Sequence, residues 1–344
     1  MTLTTQRVAA PPRSGGRLRA TAVFGLALLL LGLGGLASLT VGSNPIPAAR
    51  VWQAIWTPDG SFEAGVVSQQ RLPRTLVLIV TGAALGVAGA LMQSLTRNPL
   101  ADPGLLGINA GASLAVVLAV AVTGVTAIGF YQWFAFAGAA LAALAVYLLA
   151  GRTSPSPVRL ALAGVAISMT ISSLVQTVIL ADQAAFNEFR FWAAGSAEGR
   201  GLAVLAAATP PIGLGLVLAC ALAPALNALA LGEDAGRALG VRVGLVRGLA
   251  VLAVTVLAGA ATAAVGPLMF IGLGVPYLAR AGLGPDQRLV LPGSALAAPV
   301  VLLGADVLAR VVVAPAEVPV GVVAAILGGP VFVLIVRQPR IEAL

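Results

Sequence analysis

The sequence contains no lysine and no histidine, and its single cysteine is Cys220. A Walker A loop and a Schiff base both need a lysine amine, so this chain can form neither. Without histidine, and with one thiol, it has no ordinary ligand set for zinc, haem or an iron–sulfur cluster. A disulfide within the chain is also impossible. We therefore expect no catalytic residue, no metal site and no cofactor in this chain.

Charge is scarce as well. Charged residues make up 9% of the 344 positions, whereas soluble domains carry roughly a quarter. Hydrophobic residues make up 59%, and the mean hydropathy is +1.01. So little charge cannot cover a water-facing surface, which predicts an all-α integral membrane protein that sits in the lipid bilayer. The net charge of +8 does not indicate nucleic-acid binding, because the arginines are scattered between apolar runs.

About ten apolar runs of membrane-spanning length follow one another along the chain. Residues 1–19 hold four arginines and are expected to form a flexible basic cytoplasmic tail. Residues 20–344 are expected to form one transmembrane domain. Its longest polar interruption in the second half is residues 226–247.

The arginine distribution predicts the orientation. If both termini are cytoplasmic, fourteen of the 20 arginines fall on inner segments, as the positive-inside rule requires. We therefore expect a multi-pass protein with both termini in the cytoplasm. The six arginines on outer segments are Arg50, Arg71, Arg74, Arg190, Arg200 and Arg310.

The most distinctive stretch is residues 71–113, which contains RLPR, an apolar run, LTRNPLADPGLLG and NAGAS. Gly82, Gly86 and Ala90 lie four apart on the apolar run, and such small residues let two membrane helices approach closely. In these motifs and their spacing the stretch resembles the signature of the FecCD-type permeases. These are the membrane subunits of bacterial ABC importers for ferric siderophores, haem and cobalamin. The resemblance continues in order to the C-terminus.

The resemblance implies the permease fold of a type II ABC importer in the bacterial inner membrane. ATP and Mg²⁺ would act on two separate cytoplasmic ATPase subunits, and a second permease subunit, identical or related, would complete a dimer. An extracytoplasmic substrate-binding protein would deliver the cargo. Residues 156–166 and 190–196 most resemble the branch of the family that carries ferric enterobactin, so the expected cargo is a ferric siderophore of the catecholate type.

Two alternatives stay open. Haem or cobalamin is the competing cargo within the same importer class. An ion-coupled secondary transporter is a more remote possibility, because such proteins need ionisable residues inside their spans. Asp306 is almost the only such residue in this sequence.

Three arginines lie at the outer ends of spans, where the positive-inside rule does not expect them: Arg71, Arg74 and Arg310. One interpretation is structural: Arg310 pairs with Asp306 four residues earlier, and the other two reach lipid headgroups. The resemblance implies instead that the three accept acidic residues of the binding protein, which charge would steer into place. We favour docking and leave the structural interpretation open.

Residues 226–247 are predicted to contain a short capped helix on the cytoplasmic side. Gly232 interrupts the chain, Glu233 and Asp234 favour a helix N-terminus, and Gly240 favours its end. A plain connector is the alternative interpretation. The resemblance implies a coupling helix that seats in an ATPase subunit through Leu231, Gly232, Glu233, Asp234, Arg237, Ala238, Leu239 and Gly240.

The fifth apolar run carries a polar stripe. Ser168, Ser172 and Gln176 lie four apart, with Ser173 beside them. These groups could bond carbonyls of their own helix or a neighbouring helix. The alternative, implied by the resemblance, is that the stripe lines the translocation path at a dimer axis, where a large hydrophilic cargo needs a weakly interacting wall. Arg190, beyond the outer end of this run, is placed to meet an anionic ferric chelate.

Two positions depart from the family pattern. Tyr277 and Gln287 stand where the family usually has histidine. Roles of those histidines in gating or coupling are therefore not carried over to this chain.

Overall fold

The computed structural model describes residues 15–151 and 157–337, and within these ranges all the regular structure is helical. Apolar runs in lipid form helices because a helix satisfies its backbone hydrogen bonds internally. The α-helices are α1 (Gly15–Thr40), α2 (Ala48–Trp56), α3 (Phe62–Gly65), α4 (Leu72–Thr96), α5 (Ile108–Thr123), α6 (Ile128–Ala150), α7 (Pro157–Ala181), α8 (Gln183–Ala193), α9 (Leu202–Ala230), α10 (Glu233–Ala238), α11 (Val243–Val265), α12 (Ile271–Leu283), α13 (Gln287–Val311) and α14 (Val320–Val336).

The predicted membrane fold of about ten spans is confirmed for the described residues. Seven helical segments are long and apolar enough to cross a bilayer: α1, the continuous segment that ends in α4, α6, α7, α9, α11 and α13. Two shorter apolar helices, α5 and α14, and the 13-residue helix α12 occupy the positions of the remaining predicted runs.

The first helix begins earlier than predicted. It is already formed at Gly15, so Arg17 and Arg19 are helical rather than part of a flexible tail. Arg19 donates a hydrogen bond of 2.7 Å to the carbonyl of Ala281 at the end of α12, which ties this end of α1 to the bundle. The rest of the predicted tail, residues 1–14, lies outside the described residues, as do residues 152–156 and the C-terminal residues 338–344.

Helices α4 and α11 form the centre of the molecule. In each, 78% of the membrane-length window is buried, compared with 6% in α1 and 17% in α7. The small residues predicted on α4 make this packing possible. A Cβ atom at Gly86 would lie 2.5 Å from the carbonyl oxygen of Ser294 on α13, so only glycine allows the two backbones to come this close.

Helix α4 runs from one end of the bundle to the other. Arg71 precedes its first turn, Arg74 lies in that turn, and its 25 residues span roughly 37 Å. At its far end Arg97 donates a hydrogen bond of 2.7 Å to the carbonyl of Leu229, just before α10. We call the first end the arginine face and the second the α10 face.

Helix α12 is short and begins at Ile271, and the preceding Phe270 has left-handed backbone angles (φ 67°). At the start of the non-helical stretch before it, residues 266–270, the backbone packs closely on α8: a Cβ at Gly266 would lie 2.2 Å from the carbonyl oxygen of Trp192. Gly266 and Leu268 are buried, whereas Met269 is 60% exposed.

Candidate functional site

The arginine face is shaped by a widened helical turn. Residues Val66–Arg71 form a π-helix that continues directly into α4. Pro73 lies in the first turn of α4, and proline has no N–H to donate to the carbonyl four residues earlier. A π-helical turn accommodates such a missing bond, and these turns are frequent at functional sites. The turn places Arg71 and Arg74 on the same side, next to α13.

Three arginines meet here with two acids. Arg74 donates from Nε and Nη2 to Oδ1 of Asp306, at 3.0 and 2.8 Å, and from Nη1 to Oε2 of Glu317, at 2.6 Å. Arg310 Nη2 lies 3.1 Å from Oδ2 of Asp306. The predicted pairing of Arg310 with Asp306 is therefore confirmed, and Arg74 joins it. Asp306 is completely buried and holds two cations at once.

Arg71 completes the cluster through backbone carbonyls. It donates to the carbonyl oxygens of Leu39, Thr40 and Asn44, at 2.8, 3.1 and 2.5 Å. Leu39 and Thr40 are the last residues of α1 and Asn44 follows it, and carbonyls in the last turn of a helix have no partner within the helix. The part of the structural interpretation in which Arg71 and Arg74 reach lipid headgroups is wrong, because both side chains are buried in the protein. Pro73 and the π-helical turn direct them inward.

An open cavity of about 530 Å³ lies over this cluster. The three arginines and Glu317 form part of its wall, although each arginine is less than a tenth exposed. The loop before α9 adds Glu198 and Arg200 to the wall. We call Arg71, Arg74, Arg310 and the acids beside them the arginine pocket. The structure thus brings Arg310 to the same cavity as Arg71 and Arg74, although Arg310 lies far from them in the sequence.

The α10 face carries the short helix that the sequence predicted. Its flanking glycines both have positive φ, 118° at Gly232 and 82° at Gly240, which bulkier residues disfavour. Between them, six residues form a helix with two acids in its first turn. Leu231 and Leu239 flank it and expose 72% and 64% of their surface. Two large apolar side chains therefore project from the ends of this polar helix.

Salt bridges hold this helix in place. Glu233 accepts from Arg247 on α11 at 2.5 Å and from Arg237 at 3.3 Å, and Arg237 also contacts Asp234 at 3.2 Å. The hydrogen bond and the positive charge of Arg247 lower the pKa of the Glu233 carboxyl below its ordinary value. Glu233 is therefore ionised at neutral pH and fastens α10 to α11.

Sequence reasoning missed several residues of the α10 face. Arg247 follows Glu233 by 14 residues, and because the two lie on different helices, no helical or strand periodicity reveals the contact. Asn227 donates to Asp286 at 2.5 Å and accepts the backbone N–H of Gln287 at 2.8 Å, which joins the end of α9 to the start of α13. An asparagine at the end of an apolar run and an N-cap aspartate were the available signals.

The polar stripe of α7 lies on an open surface of the chain. Ser172, Ser173 and Gln176 are exposed, whereas Ser168 is half-buried. Ser173 donates to the carbonyl of Met169 at 3.0 Å, so back-bonding within the helix, one of the two interpretations, applies to this residue. Arg190 on α8 is exposed, and its guanidinium carbon lies 4.8 Å from the ring centre of Phe191.

The two positions that depart from the family pattern lie apart from the pocket. Gln287 is buried at the start of α13 on the α10 face, and Tyr277 lies within α12.

These features define a class of protein. In the part of the chain that the structure describes, eight mainly apolar helices pack around the buried pair α4 and α11. Charge is concentrated at the two ends and a polar stripe is exposed on one span, as expected of a polytopic membrane transport protein. The comparisons with known proteins then identify the family. The model of the FecCD transport family matches residues 28–338, and the chain belongs to this family.

Individual relatives align over almost the whole chain. The ferric enterobactin transport system permease protein FepD of Escherichia coli strain K12 is 46% identical over 322 residues, which cover 93% of this chain and 96% of FepD. A probable siderophore transport system permease, YfiZ of Bacillus subtilis strain 168, is 41% identical, with 88% and 91% covered. The hemin transport system permease HmuU of Yersinia pestis is 37% identical, with 94% and 98% covered.

A solved structure has the same architecture. It is described as an inward-facing conformation of a metal-chelate type ABC transporter, and it superposes with a TM-score of 0.79 at 27% identity. The superposition covers 92% of this chain and 99% of the other. The chain is therefore a multi-pass permease subunit with the fold of this class of transporter.

Proposed function

We propose that this chain is the transmembrane subunit of an ABC importer that carries a ferric siderophore across the inner membrane. ATP hydrolysis would take place on two separate ATPase subunits at the α10 face. A substrate-binding protein would deliver the cargo at the arginine face. The arginine face is then extracytoplasmic and the α10 face cytoplasmic, which agrees with the positive-inside bias of the sequence.

The observation that carries this proposal is the exposed polar stripe of α7. Only 17% of this span is buried in the chain, yet it presents Ser172, Ser173 and Gln176 on its surface. Polar side chains inside a membrane face a bundle interior or a water-filled path rather than lipid. The stripe is therefore covered by a second permease subunit and lines the path between the two.

The coupling role of α10 rests on its two surfaces. Glu233 and Arg247 fix one side to the membrane bundle, and Leu231 and Leu239 project from its ends. A helix that is held rigidly and presents apolar anchors can transmit a push from an ATPase subunit into α11. The chain has no lysine for a nucleotide-binding loop, so the energy has to come from a partner.

The docking role of the arginine face is supported by the convergence of the three arginines on one open cavity. A basic cavity attracts a partner that presents carboxylates, and such steering accelerates association. Because the arginines are buried, docking would take place in the pocket rather than on a flat surface.

The proposed cargo is inferred from one relative and from one exposed arginine. FepD, whose printed name specifies ferric enterobactin, is 46% identical, and the exposed Arg190 suits an anionic chelate. The decisive experiment is transport into proteoliposomes by this chain, assembled with a second permease subunit, two ATPase subunits and a substrate-binding protein. We expect ATP-dependent uptake of iron-55 ferric enterobactin.

The same vesicles distinguish the alternatives. Uptake of haem or cobalamin in place of the ferric chelate would change the cargo and leave the importer assignment intact. Uptake by the chain alone, or uptake driven by an ion gradient without ATP, would overturn the proposal.

A further inference from the structure

Glu317 differs from every other member of the arginine pocket in its position. It lies in the loop between α13 and α14, and 23% of its side chain is exposed. Asp306, the other acid of the pocket, is completely buried. An approaching molecule can therefore reach the carboxylate of Glu317 and cannot reach that of Asp306.

Arg74 divides its donors between these two acids. The Nε and Nη2 edge is directed at Asp306 in the interior, and Nη1 is directed at Glu317 on the cavity wall, at 2.6 Å. The inner contact fixes the guanidinium, and the outer contact is made with an acid that lines the cavity. Glu317 thus occupies a preformed carboxylate seat, the Nη1 end of Arg74.

The charges agree with this description. Arg71, Arg74 and Arg310 contribute three positive charges, and the two acids contribute two negative charges, so the pocket keeps a net charge of +1. Moving Glu317 out of the seat would leave a net charge of +2 next to an open cavity. A second carboxylate from outside would restore the balance.

We propose that Glu317 is an internal stand-in for a carboxylate of the binding protein, and that it is displaced from Arg74 when that protein docks. The inference rests on the proposed docking role of the arginine face. In the free permease the seat is closed, so the pocket keeps a net charge of +1 rather than +2. Docking exchanges one carboxylate for another, which weakens binding and makes it reversible.

The seat can be tested with a defined acidic ligand. The full chain in lipid nanodiscs is titrated with fluorescein-labelled tetraglutamate, with tetraglutamine as the blank, and fluorescence anisotropy gives the Kd. If Glu317 fills the seat about nine-tenths of the time, its removal strengthens binding roughly tenfold. We expect that gain in Glu317→Gln, and its loss when Arg74→Gln is added.

Two matched variants separate occupancy from overall charge. Glu198→Gln removes the same charge from the wall of the same cavity, and we expect less than about a twofold change from it, as for an exposed and screened charge. Glu317→Asp keeps the charge and shortens the reach to Arg74. It should strengthen binding, because the shorter side chain leaves the seat partly open.

The outcomes separate the stand-in role of Glu317 from docking at the arginine pocket. If Arg74→Gln weakens tetraglutamate binding and Glu317→Gln leaves it unchanged, the stand-in role of Glu317 is wrong and docking at the pocket stands. An equal gain in Glu198→Gln and Glu317→Gln would also overturn the stand-in role. If substitutions at Arg71, Arg74 and Arg310 all leave the Kd unchanged, docking at this pocket fails too. Transport in proteoliposomes reports on the importer function independently.

Discussion

Arg74 Nη2 lies 2.8 Å from Oδ1 of Asp306, although the two residues are 232 positions apart in the sequence. The pair joins the start of α4 to the end of α13, and Arg310 approaches the same carboxylate from the next turn of α13. A buried acid that holds two arginines is costly to remove, because both cations would then stay buried without their counter-charge.

Substitution of Asp306 should therefore destabilise the permease. We expect Asp306→Ala to lower the free energy of unfolding by about 3–5 kcal/mol, measured by thermal unfolding of the purified chain in detergent. Glu317→Gln removes the partly exposed partner of the same arginine and should cost less than about 1 kcal/mol. Equal stability of Asp306→Ala and the wild type would show that the buried pair does not hold α4 to α13.

A second prediction concerns the packing of α4 on α12. A Cβ at Gly89 would lie 1.8 Å from the carbonyl oxygen of Gly272, and backbone atoms cannot yield as a flexible side chain can. Gly89→Ala should destabilise the bundle by at least about 3 kcal/mol, or prevent its assembly. The measurement is the yield and melting temperature of the monodisperse protein.

The control for this substitution is Gly304→Ala. Gly304 lies inside α13, and a Cβ there would meet no atom within 4 Å. In a helix interior alanine is favoured over glycine by up to about 1 kcal/mol, so Gly304→Ala should be neutral or stabilising. A melting temperature of Gly89→Ala equal to that of Gly304→Ala would contradict the close approach of α4 to α12.

The coupling helix gives a third prediction. Exchanging the charges with Glu233→Arg and Arg237→Glu preserves their mutual pair but places an arginine beside Arg247. We expect the exchange to abolish cargo uptake while the assembled ATPase subunits still hydrolyse ATP. Arg242→Glu reverses an exposed charge just beyond α10 and should leave uptake largely intact. Normal uptake in the exchanged protein would rule out coupling through α10.

The titration of Glu233 gives a fourth prediction. Arg247 lowers the pKa of this carboxyl, so the salt bridge is fully formed above the ordinary glutamate pKa of about 4.3 and is lost only as pH falls through the lower value. The attachment of α10 should thus be constant from about pH 5 to pH 8. Carbon-13 NMR of the labelled carboxyl, assigned with Glu233→Gln, measures the pKa directly, and Arg247→Gln should raise it. An unchanged pKa in Arg247→Gln would show that the pair does not form.

The fold could be predicted from the sequence more completely than the sites could. Composition alone predicted the membrane class. The glycines at 232 and 240 predicted α10, because a short helix and its ends depend on residues close in sequence. The stripe through Gly82 and Gly86 predicted packing, which takes place against α13. Gly89 was not part of that stripe, since it faces a different neighbour, α12.

The partners within the arginine pocket and on the α10 face could not be predicted in the same way. Glu317 is 243 positions from Arg74, and only the folded bundle brings them together. The buried state of Arg71 depends on the π-helical turn and on carbonyls left free at the end of α1. Such contacts are set by tertiary packing, and the motif RLPR by itself is compatible with both an exposed and a buried pair of arginines.

The last prediction tests whether the stripe of α7 lines a path. The chain has one cysteine, the exposed Cys220, so Cys220→Ala gives a cysteine-free background. In the assembled importer, Ser172→Cys and Gln176→Cys should react with a membrane-impermeant thiosulfonate, because water reaches a polar path. Val175→Cys, on the buried side of the same helix at 4% exposure, should stay unreactive. Equal protection of all three positions would place the stripe in a dry helix interface, where its hydroxyl and amide groups bond within the protein rather than face the cargo.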